Sequence, residues 1–205
     1  MTQDRFASKA HDWHMNPQIV AMFWAFVEKF RATVPLSPSL DLLDVGGGTG
    51  LITFELAPSV RSVTIVDSSP AMCAVARERI AAEGLQHCQV LEGDLLETPT
   101  GSELFDRIYA HMSMHHIENT AGAIQRCFEL LRPEGILVIA DLLTEDGSLH
   151  GDEGVPHNGF DVAALQKLVE KVGFVDAQAD ALPPMERGTD PVRLYERFFL
   201  SAKKR

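Results

Sequence analysis

Leu42-Leu43-Asp44-Val45-Gly46-Gly47-Gly48-Thr49-Gly50 is the stretch on which the fold of this chain turns. Leu40 to Val45 reads as a buried strand that runs straight into the glycines, and Leu51 to Ala57 continues as a helix. Glycines let a backbone approach a ligand closely and aim its amide groups at it. The spacing is G-x-G-x-G and not the dinucleotide fingerprint G-x-G-x-x-G, because Leu51 stands three residues after Gly48.

Outward from this unit the same alternation repeats. Val60 to Val66 is rich in β-branched residues and stops at Asp67, and Ser69-Pro70 is a cap and first turn for a helix closing near Gly84. Cys88 to Leu91 and Phe105 to Ala110 are the third and fourth strands. A helix over Thr120 to Leu131 is expected to bury Ala121, Ile124, Phe128 and Leu131, before Pro133-Glu134-Gly135 turns into the strand Ile136 to Ala140. The polar stretch Thr144 to Asn158 is long enough for a lid. Asp161 caps a helix ending at Gly173, Phe174 to Gln178 is a sixth strand, Pro183 to Pro191 a proline-rich connection and Tyr195 to Ala202 the last strand. Upstream, Asn16-Pro17 opens an amphipathic helix with Ile19, Phe23, Phe26, Val27 and Phe30 at helical spacing. Alternating strands and helices with near-continuous apolar strands predict an α/β, doubly wound, mainly parallel sheet covered on both faces.

At 205 residues one domain is expected, spanning residues 1–205, with 1–34 as an N-terminal helical lid and 144–160 as a substrate-side loop. The net charge of −11 argues against nucleic acid as a partner, since phosphate binding depends on lysine and arginine. Lys203-Lys204-Arg205 reads as a solvated tail. The three cysteines, Cys73, Cys88 and Cys127, are too scattered for a disulfide framework. Residues 1–10 lack an apolar signal region and no stretch approaches the ~18 apolar residues of a membrane span, so a cytoplasmic protein without membrane insertion is expected.

In doubly wound sheets ligands bind beyond the carboxyl ends of the strands. Here three successive strand ends deliver an acid: Asp44, Asp67 and Asp94, the last just after Gly93. An acid about twenty residues past the glycines can accept from both ribose hydroxyls. An adenosine-like ligand follows, its identity still open.

The ordered set Leu42 to Gly50, Val63 to Asp67, Glu92-Gly93-Asp94-Leu95, Phe105 to Ala110, Met114-His115-His116-Ile117 and Leu131 to Ile136 resembles the motifs of class I S-adenosylmethionine (SAM) dependent methyltransferases. Phe6 to Ala10 with Trp13 is similar to the leading helix of their ubiquinone and menaquinone methyltransferase-like branch. The resemblance implies a Rossmann-like seven-stranded sheet with an antiparallel last strand, SAM as cofactor, and methyl transfer to a small organic acceptor. By it the glycine loop (Gly46, Gly48, Gly50) takes the methionine part of SAM and Asp67 the ribose, with Ser68 and Asp44 also at the cofactor, stabilising the glycine turn being the competing role of Asp44. Asp94 and the Leu95 amide hold adenine beside Met72. The Ala110 carbonyl meets the methionine ammonium, and Trp13 closes over the cofactor.

His115 and His116 fall where the resemblance puts the acceptor, and a neutral imidazole can take a proton near pH 7, His116 being the stronger candidate. Packing against the cofactor is the competing role. His111, His150 and His157 with Asp141 or Asp152 match no metal-ligand spacing, so no metal is expected. Two rival readings are an NAD(P)-dependent oxidoreductase, which has no use for Asp94, and a non-catalytic SAM-binding regulatory protein. Phe198 and Phe199 either pack in the sheet or meet a partner, which leaves a homodimer open.

Overall fold

The computed structural model describes residues 4–99, 104–151, 154–188 and 191–205, without the side chain of His14. In chain order the elements are α1 (Pro17–Thr33), β1 (Asp41–Val45), α2 (Leu51–Leu56), β2 (Ser62–Asp67), α3 (Pro70–Glu83) and β3 (Cys88–Glu92). They continue with β4 (Phe105–His111), α4 (Thr120–Leu130), β5 (Leu131–Leu142), α5 (Val162–Val172), β6 (Phe174–Arg187) and β7 (Arg193–Lys204).

The caps are those the sequence announces. Asn16 accepts from the Gln18 and Ile19 amides ahead of Pro17, Ser69 from Met72 ahead of Pro70, and Asp161 from Ala164. Each satisfies amides that the first turn of a helix cannot satisfy itself.

The strands form one sheet in the order β3-β2-β1-β4-β5-β7-β6, parallel except that β7 runs antiparallel to both neighbours. The order reverses between β1 and β4, and a crevice opens at such a point. Val45 lies beside Val66 on one side and Ala110 on the other, so the carboxyl ends of β1, β2 and β4 finish level around it.

Side-chain alternation feeds two cores. Leu43, Val45, Ile108 and Phe198 face α4 and α5, while Leu42, Tyr109 and Phe199 face α1 and α2. Phe26 and Phe30 of α1 pack against Tyr109, tilted and edge-on, at ring separations of 6.0 and 5.5 Å. Burying each such ring contributes about 1.5–3 kcal/mol.

Of the two fates the sequence left open for Phe198 and Phe199, the structure shows packing, both being buried in the sheet. Several sequence expectations need correction. Lys203 and Lys204 are not a solvated tail: they end β7, and Lys204 Nζ donates to the Phe128 and Leu131 carbonyls at 2.6 and 2.7 Å. The proline-rich connection is largely strand, since β6 runs through Pro183 and Pro184 to Arg187. An edge strand tolerates proline, and the register shifts between Leu182 and Met185, where the prolines stand. The buried stripe of α4 is Thr120, Ala123, Ile124, Cys127 and Leu130, leaving Ala121 exposed and Phe128 only partly covered. Among the described residues no helix is long and apolar enough to cross a membrane, and Cys73, Cys88 and Cys127 are buried free thiols.

Candidate active site

A cavity of about 520 Å³ opens at the carboxyl edge of the sheet, floored by the glycine loop. The loop's shape requires its glycines: Gly46 has φ +65°, and a Cβ there would lie 2.4 Å from the Ser113 Cβ. Gly48, at φ +56°, has only the Met72 sulfur near its missing Cβ, at 3.8 Å, and lines the cavity.

The acids are held in different ways. Asp67 accepts from the Gly48 and Ser69 amides, both at 2.8 Å, which fixes its carboxylate against the loop while lone pairs remain for a ligand. Burial raises its pKa, and those two amides oppose the rise. Asp44 is buried and accepts from the Thr53 hydroxyl at 2.8 Å. Burial pushes its carboxyl up to about 7 against the pull of the Thr53 and Tyr109 hydroxyls. Asp94 is exposed at the rim, one oxygen accepting from the Leu96 amide at 2.7 Å, above the buried Leu95.

Of the other residues implied for the cofactor, Trp13, Ser68 and Met72 also line the cavity. Gly50 and Ala110 do not. Gly50 caps α2 with φ +82°, and Ala110 is buried in β4 while its neighbours His111 and Met112 reach the opening.

A strap of chain ahead of α1 spans both ends of the cavity. Asp4 accepts from the Ser69 hydroxyl at 2.9 Å and the Ala71 amide at 3.2 Å, at the start of α3. Phe6 packs edge-on against Trp13 and His116, with ring centroids 5.8 and 5.4 Å away. Arg5 donates to Nδ1 of His116 at 3.4 Å and to the Gly154 carbonyl at 3.2 Å. Within α1, Ile19, Met22 and Phe23 line the cavity, whereas Phe26, Val27 and Phe30 are core.

The far end is built from histidines. His115 is buried in the turn after β4, with Nδ1 2.6 Å from Asp141 Oδ1 and its amide donating to Asp141 Oδ2 at 3.2 Å. A carboxylate only accepts, so Nδ1 carries a proton, and Nε2 is the nitrogen left to the cavity this residue lines. Burial alone would raise the Asp141 carboxyl, but the His115 ring and the Leu142 and His115 amides together hold it low. His116 is neutral, pushed down to about 3 by burial and then by His115, His150 and Arg5. His150, from the loop after β5, brings its ring to 5.0 Å from His115 and 5.4 Å from His116.

The set His111, His150 and His157 with Asp141 or Asp152 is not gathered. His157 Nε2 is engaged with the Thr120 hydroxyl at 3.0 Å and the Ile117 carbonyl at 3.1 Å, and Asp152 lies outside the described residues. His111 is buried, its pKa lowered to about 3 by burial and then by Arg197, and its Nε2 has no hydrogen-bond partner among the described residues.

Sequence reasoning missed Met185 and Arg187, which line the cavity only because β6 continues past its prolines. It did not pair Asp141 with His115, which are 26 residues apart and joined by the β4–β5 register. One visible signal was the acid ending an apolar strand, the same signal that marked Asp44 and Asp67.

Residues 42–135 match the family model described as a methyltransferase domain. The erythromycin 3''-O-methyltransferase of Saccharopolyspora erythraea is 33% identical over 72% of this chain and 54% of its own length. A ubiquinone/menaquinone biosynthesis C-methyltransferase of Coxiella burnetii is 30% identical over 49% of this chain and 42% of its own length. A solved SAM-dependent methyltransferase from Aquifex aeolicus superposes with a TM-score of 0.71 at 20% identity, covering 96% of this chain and 97% of that one. The chain carries a methyltransferase domain on the fold of the class I SAM-dependent methyltransferases. It spans about half the length of the curated relatives it matches.

Proposed function

We propose that the whole chain works as one SAM-dependent methyltransferase unit acting on a small organic acceptor, with SAM at the acid-lined end of the cavity and the acceptor at the histidine end. The observation that carries this is the cavity itself, which joins Asp44, Asp67 and Asp94 to His115, His116 and His150. A ribose meets Asp67, adenine meets Asp94 and Leu95, and a cationic methionine part meets Asp44 beside the glycine loop. Ala110 serves through its carbonyl and Gly50 through the turn it permits.

When bound, SAM supplies an electrophilic methyl group: the nucleophile–carbon bond forms as the carbon–sulfur bond breaks, its electron pair staying on sulfur. The chain's own work is alignment and exclusion of water. The strap of Arg5, Phe6 and Trp13 covers the opening, and Leu149 and His150 line the acceptor side. His115, oriented by Asp141, is the group to receive a proton from a hydroxyl or amine acceptor. It replaces His116 in that role because only His115 has a carboxylate fixing its tautomer. Buried free thiols and the absence of a spanning helix among the described residues support a cytoplasmic setting.

The test is calorimetric titration with SAM, S-adenosylhomocysteine and NADH in parallel. Binding of both SAM species without NADH is expected, and NADH binding alone would overturn the reading. A screen of small acceptors then follows methyl transfer from labelled SAM.

A further inference from the structure

We propose that His115, His116 and His150 form a binding site for a divalent transition-metal cation of the zinc class at the acceptor end of the cavity. The inference rests on the proposed function for what the cation would act on. The two can fail separately.

One ligand nitrogen from each ring lies within 4.8 Å of the other two. Around a zinc ion with bonds of about 2.0–2.1 Å, tetrahedral nitrogens stand about 3.3 Å apart, so the cluster has to contract by up to about 1.5 Å. His150 can supply that movement. It comes from the loop after β5, while His115 and His116 share the turn after β4. The loop is nevertheless anchored: Glu145 N–H donates to the Asn158 carbonyl at 2.9 Å, Gly151 N–H to Gly147 at 3.1 Å and Phe160 N–H to Leu142 at 2.9 Å.

A second observation points the same way. Metal-bound histidines usually donate their remaining N–H to a carboxylate, which fixes the ring and raises its basicity. Asp141 holds Nδ1 of the buried His115 in that manner, leaving Nε2 for a ligand. Imidazole donors select zinc, cobalt, nickel, copper or iron over magnesium and calcium, which require oxygen ligands. Three protein ligands leave a fourth position open, as in catalytic sites, and all three histidines line the cavity. An acceptor hydroxyl or amine there would release its proton to water on coordination and meet the methyl group as a better nucleophile. With the cation bound His115 serves as a ligand, and the proton-accepting role proposed for it above belongs to the metal-free protein.

Arg5 is a cation in contact with the cluster, through Nδ1 of His116. A guanidinium opposes a metal ion at that distance, so removing it should favour loading.

The experiment uses untagged protein stripped with chelator and titrated with Co²⁺ and Zn²⁺, reading metal content by mass spectrometry and the visible spectrum of the cobalt form. One equivalent is expected, with a spectrum of nitrogen ligation. Affinity should fall at least about tenfold in His116→Ala and His150→Ala and rise in Arg5→Ala. Absent binding, or binding that all three variants leave unchanged, overturns the inference. SAM titration of the wild type is read alongside: SAM bound without cobalt sinks the metal site alone, and no SAM bound sinks the proposed function whatever the metal does.

Discussion

Strand β1 carries an aspartate at each end of the sheet, and the two have opposite fates. Asp41, at its start, accepts from the Arg61 guanidinium, from Arg132 at 3.0 Å and from the Ser62 hydroxyl at 2.7 Å. Arg132 also reaches Asp106 at 2.8 Å, tying β1 to β4 at that edge. The Arg61 bond, outweighing burial, holds the Asp41 carboxyl down at about 2. Asp44, three residues on, meets hydroxyls and a cavity but no arginine, and its carboxyl is pushed up to about 7. An acid that finds a guanidinium inside the protein is structural. One left facing amides, hydroxyls and open space is waiting for a cation or a hydroxyl from outside.

The strongest way to break that comparison is at Asp67, which belongs to the carboxyl edge. Hydrogen bonds to a charged group contribute about 1.5–3 kcal/mol each, so losing two ribose hydroxyl bonds in Asp67→Ala should weaken SAM binding by at least about a hundredfold. Thermal unfolding checks that the variant is folded. Unchanged affinity in a folded variant would remove Asp67 from the site.

Asp44 offers a tenfold effect that can be read without mutation. Its folded pKa is raised, so the stability it contributes is full below the unfolded value near 3.8 and is lost as pH rises through about 7. A cationic ligand reverses the preference and favours the carboxylate, so binding below pH 7 has to release a proton. SAM affinity should rise about tenfold between about pH 6 and about pH 8. Calorimetry in two buffers of different ionisation heat reads the released proton directly, and Asp44→Asn should flatten the profile. A flat wild-type profile would mean that Asp44 only stabilises the turn.

The two edges were not equally legible in the sequence. Asp44 and Asp67 were readable because an acid at the end of an apolar run is a local pattern, and the glycines between them fixed the local geometry. The caps Asn16, Ser69 and Asp161 were readable for the same reason. The Asp41–Arg61–Arg132–Asp106 network was not, because each partner comes from a different strand end and only the register joins them. His150 beside His115 and His116 was hidden in the same way, by a long loop whose path depends on its anchors at Leu142 and Asn158. Pro183 and Pro184 misled because proline usually ends a strand, and nothing local announces that β6 lies at the edge. His116 was preferred over His115 for want of Asp141, a contact across 26 residues.

The smallest effect belongs to Asp41, and it tests the other half of the comparison. Its depressed pKa means that its contribution is present above the unfolded value near 3.8 and disappears as pH falls through about 2. Discounted for the solvent screening of Arg61, whose side chain is 54% exposed, Asp41→Asn should cost about 1 kcal/mol at neutral pH, read by denaturant unfolding. That cost should shrink below about pH 4, while SAM affinity stays within about twofold of wild type. Asp41 lies at the edge of the sheet opposite the cavity and shares no ligand surface with it. A tenfold or larger loss of SAM affinity in Asp41→Asn would therefore show that β1 couples its two ends, and partner identity would no longer separate the structural acids from the functional ones.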